Sequence, residues 1–270
     1  MQEFYTRCRI QDTVFRVPGF RFSVGRNTKW VGVGLCKGIG LFPASCIEYS
    51  AGAMRSIDSI TPIILAAGDS KRMGYPKALL PIGDTTFLGR ILGIVRSVGL
   101  IGPIVVLGRA AALIRPAIQK WPVRIIVNPD PDRGQLSSIQ LGISNLDANA
   151  QACMLWPVDQ PAVSEGMVFN LVRLYLQSQH RMAFPKFGGK RGHPAIFHQS
   201  LFREFLTVPL EEGPKKMIAS YQQDIAELPT DESAVIHDID TPQDYELLTG
   251  ESLQNALARR GKPGTGNPGP

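Results

Sequence analysis

From residue 61 onward, short apolar runs with strand character alternate with segments of helical periodicity. This alternation restricts the fold more than any other feature of the chain. The strand-like runs fall at 62–67, 103–107, 123–127 and 152–158. Between them, 87–97 carries Leu88, Ile91, Leu92 and Val95 on one helical face, and 110–119 and 137–145 read similarly. Residues 163–177 place Met167, Leu171, Leu174 and Tyr175 together, with Ser164 as the expected N-cap. Strands apolar on both faces must be covered on both faces. With right-handed crossovers they make an α/β fold: a doubly wound, mainly parallel, Rossmann-like sheet.

After residue 180 the pattern shortens. Strands are expected at 182–187 and 194–197 around a Gly-rich turn, then helical pieces at 199–206 and 214–221. Further strands are expected at 225–228 and 234–238, and a last helix at 243–248. This is a small β-rich C-terminal part, and the folded domain is taken as 54–249. Residues 250–270 are Gly/Pro-rich and are expected to be disordered. Residues 1–53 hold β-like pieces at 13–17 and 30–35 among many glycines. They read either as a small N-terminal extension or as an over-long gene start, with Met54 as the true start.

Composition matters here through charge and cysteine. The net charge of +6 resides in the ends: residues 1–53 contribute +4, residues 249–270 contribute +2, and 54–248 is neutral. A basic face that would bind nucleic acid is therefore not expected. No apolar run is long enough for a bilayer, and the N-terminus lacks a continuous apolar core. The four cysteines lack metal-type spacing and read as reduced thiols of a cytoplasmic protein.

In doubly wound sheets, ligands bind beyond the carboxyl ends of the strands. After the first strand comes a loop with Gly68, Lys71, Arg72 and Lys77, stiffened by Pro76. Its spacing is not that of a Walker A loop. Its cations suit a triphosphate and equally suit a solvated basic turn. After the third strand come Asn128 and Gly134 to Ser138. After the fourth comes Asp159, placed where a carboxylate could share Mg²⁺ with a phosphate, or simply close a turn. Asp240 precedes Thr241-Pro242, where a helix cap is the plainer reading. Arg191-Gly192-His193-Pro194 holds a His extended before Pro, with a substrate contact or a structural role both open. His180, His198 and His237 show no pairing, and neither a zinc set nor a Ser-His-Asp pattern is present.

These residues together resemble a known family. Leu65-Ala66-Ala67-Gly68-Asp69-Ser70-Lys71-Arg72-Met73-Gly74, then Pro76-Lys77 and Leu79-Leu80-Pro81, resembles L-A-[AG]-G-x-S-x-R-M-G-x-x-K-x-L-[LV]-P. That is the signature of the molybdenum-cofactor guanylyltransferases and cytidylyltransferases. Asn128 with Gly134 to Ser138, Pro157 to Pro161, Lys190 to Pro194, and Asp238 to Asp244 resemble further family elements, in family order over residues 59–248.

The resemblance implies a sheet of the nucleotide-diphospho-sugar transferase type. It also implies roles. Leu65, Ala66, Ala67 and Gly68, with Asn128, Gly134 and Ser138, would hold the nucleoside. Lys71, Arg72 and Lys77 would hold phosphates, with Arg72, Lys77 and Asp159 catalytic. Asp159 and Asp240 would hold Mg²⁺, and Arg191 and His193 would meet the acceptor. Ala67 and the R-G-H-P element resemble the branch that uses CTP rather than GTP. The implied reaction moves CMP from CTP to a phosphate of a molybdopterin-type acceptor. Two alternatives stand beside it. One is an NTP transferase acting on a sugar phosphate. The other is a non-catalytic carrier of finished cofactor for a partner molybdoenzyme.

Overall fold

The computed structural model describes residues 55–261, together with the backbone of 7–10 and 13–16. The chain divides into two units, Met1–Ala53 and Met54–Pro270. In the first, Arg7–Ile10 pairs antiparallel with Thr13–Arg16, overlapping the β-like piece expected at 13–17. The piece expected at 30–35 and the residues after 261 lie outside the described residues.

The second unit is built on an eight-stranded sheet with helices on both faces. Its strands are β1 Ile60–Ala66, β2 Ile104–Leu107, β3 Arg124–Val127, β4 Ala152–Pro157, β5 Met182–Phe187, β6 Lys190–Arg191, β7 Ala195–His198 and β8 Ile225–Pro229. The helices are α1 Phe87–Ser97, α2 Ala111–Ile118, α3 Gln135–Ser144, α4 Glu165–Gln177, α5 Phe202–Thr207, α6 Gly213–Ala219, α7 Pro242–Thr249 and α8 Leu253–Gly261. Strand β1 is central, parallel to β2 on one side and to β4 on the other, and β3 continues parallel beyond β2. Strand β7 then runs antiparallel between β4 and β5, and β8 lies parallel along the other edge of β5. The antiparallel β7 reverses the chain once, so β1 to β5 and β8 all deliver their carboxyl ends to one edge.

The β1 side chains separate by the two-residue period of a strand. Ile60, Ile64 and Ala66 enter a core with α1, α2, α4, α7 and α8, while Ile63, Leu65 and Ala67 enter a second core with α3, α5 and α6. Gly142 lets α3 lie close on the second face; a Cβ there would come within 2.6 Å of Ile63 Cγ2. Helix α4 begins where Ser164 Oγ accepts from the Met167 amide at 3.1 Å, as expected. At its other end the Arg55 guanidinium donates to the carbonyls of Tyr175, Ser178 and His180, where a cation complements the helix terminus.

Two expectations need correcting. Residues 234–238 do not form a strand: a 3₁₀ turn at Ser233–Val235 takes their place. The Val235 carbonyl accepts from the His193 amide at 2.8 Å, but no ladder follows. Residues 250–261 are not a disordered tail. Gly250, at φ +75°, closes α7 in the left-handed region, and α8 folds back to bury Leu253 and Ala256 in the first core. The Gly/Pro run that suggested disorder starts only at Gly261. Among the described residues no helix is long and apolar enough to cross a membrane.

Leu253→Ala is therefore expected to lower the unfolding free energy by about 2–3 kcal/mol, as for other buried leucines. Urea denaturation of the full chain measures this; an unchanged midpoint would mean α8 is not part of the fold.

Candidate active site

The strand ends surround a cleft of about 430 Å³. Leu65, Ala67, Gly68, Lys71, Arg72 and Lys77 line one wall, Gly134 and Ser138 a second, and Asp159 and Asp240 the far end.

The loop after β1 is bolted in place. Met73 is buried, and the Ser70 carbonyl accepts from the amides of Met73 and Gly74 at 3.0 Å each. Ser70 itself sits at φ +52°, an uncommon conformation for a residue with a side chain. Its Oγ accepts from the Lys77 amide at 3.1 Å. The loop after β2 presses on this one at Gly108, where a Cβ would lie 2.1 Å from the Ala67 carbonyl oxygen.

Asp159 and Asp240 meet although they are distant in sequence. The Ile239 amide donates to the Asp159 carbonyl at 2.8 Å, and Gln160 Nε2 donates to Asp238 at 2.7 Å. The helix cap that could have claimed Asp240 is made by its neighbours instead. Thr241 Oγ1 accepts from the Asp244 amide, and Asp244 Oδ2 accepts from the amides of Asp240 and Thr241. The Asp240 carboxylate is thereby left for the cleft. Lys77 Nζ donates to Asp159 Oδ2 at 3.2 Å and makes a short contact with Asp240 Oδ1. Arg72 donates to Asp240 Oδ2 at 2.7 Å.

The two carboxylates are similarly exposed, 27% for Asp159 and 30% for Asp240. They nevertheless shift in opposite directions. Burial raises the Asp159 carboxyl above the ordinary aspartate range; Lys77 opposes the rise, and Asp238 and Asp240 add to it. The hydrogen bond from Lys77, aided by Arg72, holds Asp240 below that range. The difference is one of depth and partners. Asp159 Oδ1 is wholly buried without a hydrogen bond, and Asp159 has one cation where Asp240 has two.

Two carboxylates at the end of a cleft lined with cations, one of them with a buried oxygen that has no hydrogen bond, fit a divalent ion shared with a phosphate. Among the described residues no cluster of three or more His, Cys, Asp or Glu could hold a metal with protein ligands alone. Two carboxylates suffice when a phosphate supplies the other oxygens.

Some expected residues lie elsewhere. Ala66 turns its side chain into the first core, away from the cleft. Asn128 is buried beneath the second wall, donating to Ser137 Oγ and Ser138 Oγ at 2.9 Å each. It braces the start of α3 and does not line the cleft. Arg191 and His193 do not line it either. Arg191 is held by Glu227 at 2.7 Å and Gln222 at 2.8 Å, while His193 Nδ1 is buried without a partner.

Three residues of the cleft mouth escaped the sequence reading. Arg109, just after β2, donates to Asp69 at 2.5 Å and grips Asp132 with both terminal nitrogens, joining the two walls. Asp69 occupies the unconstrained position of the signature, and no spacing rule links Arg109 to either carboxylate.

The family model of the MobA-like NTP transferase domain matches residues 62–225, more than half of the chain. The chain is 27% identical to the purine catabolism protein PucB of Bacillus subtilis, over 69% of this chain and 94% of that one. It is 27% identical to a probable molybdenum cofactor guanylyltransferase of Mycobacterium marinum, over 72% of this chain and 95% of that one. The crystal structure of Rv0371c from Mycobacterium tuberculosis matches with 30% identity and a TM-score of 0.65, covering 73% of this chain and 100% of that one. A structure of Rv0371c in complex with manganese matches with 29% identity and a TM-score of 0.60, covering 71% and 98%.

The opposite shifts give opposite stability effects. Asp159 binds its proton more tightly folded than unfolded, so its ionisation subtracts stability as pH rises through its raised value. Asp240 is depressed, so its ionised form adds stability above the unfolded value of 3.8, lost as pH falls through the folded one. At neutral pH, Asp159→Asn is expected to raise or preserve the urea midpoint and Asp240→Asn to lower it. Equal losses in both would refute the assignment.

Proposed function

The chain belongs to the MobA-like NTP transferase family, and from that footing we propose a specific reaction for this nucleotidyltransferase. It transfers CMP from CTP to the phosphate of a molybdopterin-type acceptor, with magnesium, and releases pyrophosphate. The observation that carries this reading is the Lys77 ammonium shared between Asp159 and Asp240, with Arg72 alongside, in a cleft floored by glycine loops.

An oxygen of the acceptor phosphate attacks the α-phosphorus of the NTP. A new P–O bond forms, the α–β bridge bond breaks, and its electrons leave with pyrophosphate. The attacking phosphate is already anionic, so no protein group need take a proton. The chain's work is positioning and charge neutralisation. Leu65, Ala67 and Gly68 face Gly134 and Ser138 across the cleft, where the nucleoside would lie. Arg72 and Lys77, with Lys71, offset charge on the triphosphate and on the departing pyrophosphate. Asp159 and Asp240 would hold magnesium, which supplies Lewis-acid stabilisation of the phosphate oxygens. That the relative Rv0371c forms a complex with manganese supports the choice of a divalent ion. Arg191 lies on β6, paired with Lys186 near the carboxyl end of β5, and His193 follows it outside the cleft lining; a contact of either with the acceptor belongs to this proposal.

Pyrophosphate release with each of the four NTPs, with and without molybdopterin, tests the reading. Turnover is expected with CTP plus molybdopterin. Turnover with another NTP and a sugar phosphate, and none with molybdopterin, would overturn it. Asp159→Asn is expected to reduce kcat by about 10²–10³-fold, the scale of losing one electrostatic contact at a developing charge.

A guanine-using variant of the same reaction is favoured by one finding, the guanylyltransferase name of the mycobacterial relative. Ala67 discriminates between the two. It is packed into the second core yet lies on the cleft lining, so Ala67→Gly, which lets that wall relax, is expected to shift the GTP/CTP ratio of kcat/KM towards GTP by about tenfold. An unchanged ratio would remove Ala67 as a determinant of the base.

A further inference from the structure

Four carboxylates line the cleft, and each already has a cation within 4 Å. Asp69 has Arg109 and Lys71, Asp132 has Arg109, Asp159 has Lys77, and Asp240 has Lys77 and Arg72. The Lys77 side chain is only 12% exposed, and its backbone is tied to Ser70. Its ammonium lies between Asp159 and Asp240, the pair read above as sharing a metal with phosphate.

We propose that Lys77 is a built-in counter-ion that bars a free divalent cation from the Asp159–Asp240 pair and yields only to a cation arriving with a triphosphate. This rests on the reading above and adds an order of binding to it.

The reason is charge balance. Arg72 and Lys77 neutralise Asp159 and Asp240, so the pair offers a lone divalent ion no net attraction. To take both carboxylates, that ion must displace the ammonium. Lys77 would then be a half-buried cation without an anion, which is costly. An ion bound to Asp159 Oδ1 alone would sit beside an ammonium that repels it. A triphosphate changes the balance because its surplus negative charge gives Lys77 a new partner. The exchange then leaves no charge unpaired. The site consequently selects the metal–nucleotide complex over either component, and it cannot be loaded with metal while it waits.

Manganese binding to the full chain tests this without turnover, read from the free-ion EPR signal lost beyond that lost to the nucleotide analogue alone. The wild type is expected to bind Mn²⁺ alone weakly. With the non-hydrolysable α,β-methylene analogue of CTP, binding should tighten by about tenfold or more. Lys77→Gln removes the charge and should tighten Mn²⁺ binding without nucleotide by about tenfold or more. Lys77→Arg keeps the charge and should behave as the wild type. A melting curve checks each variant; if the Gln variant fails to fold, Lys77→Met carries the same comparison. The proposal is overturned if the uncharged variant binds Mn²⁺ alone no tighter than the wild type does. It is also overturned if the wild type binds Mn²⁺ as tightly without the analogue as with it. No Mn²⁺ binding by the wild type with α,β-methylene analogues of any of the four NTPs would instead overturn the functional reading, and this proposal with it.

Discussion

Two ionised carboxylates brought together at a sheet edge repel unless a proton or a cation lies between them, and here that cation is Lys77. Asp159 comes from the turn after β4 and Asp240 from the turn before α7. The two turns are joined by the Ile239–Asp159 backbone hydrogen bond, with Ile239 itself buried. That bond brings the two carboxylates to one end of the cleft, and Lys77 relieves their mutual repulsion. Lys77 can do so because the loop after β1 is anchored by Met73 in the core and by Ser70 on the Lys77 amide. Three segments from different parts of the chain thus depend on one ammonium group.

The sheet is what allows the three to meet. Every parallel strand ends at the same edge, so loops from β1, β2, β3 and β4 surround a single cleft. The two cores hold those ends in register. Gly142 keeps α3 close to β1, which sets the depth of the wall carrying Gly134 and Ser138. Asn128 then stiffens that wall from beneath, with its amide on two serine hydroxyls. Across the mouth, Arg109 joins the first wall to the second through Asp69 and Asp132.

Much of this was legible in the chain before any coordinates. The four parallel strands β1 to β4 and helices α1 to α4 followed from apolar periodicity, because each side of the sheet must be covered. The cations and carboxylates of the cleft stood at strand ends, where this fold binds ligands. The misreadings have physical causes. Residues 234–238 have strand composition, but the neighbouring backbone offers a single hydrogen bond where a strand needs a ladder. The final helix was hidden by the Gly/Pro-rich segment that follows it; Leu253 and Ala256 bury in the core cluster that holds Tyr245, a contact no local pattern announces. Ala66 alternates with Leu65 and Ala67, so the strand period points its side chain to the opposite core.

The sequence by itself determined the mainly parallel architecture and marked the cations of the first loop and Asp159 at strand ends. Those are local properties of composition and period. Only the tertiary structure decided the pairings. It put Lys77 on both Asp159 and Asp240 and gave the cap of α7 to Thr241 and Asp244, leaving Asp240 for the cleft. It turned Arg191 towards Glu227 and made Arg109 a bridge. An ion pair depends on where two distant segments come to rest, and no spacing along the chain encodes that separation.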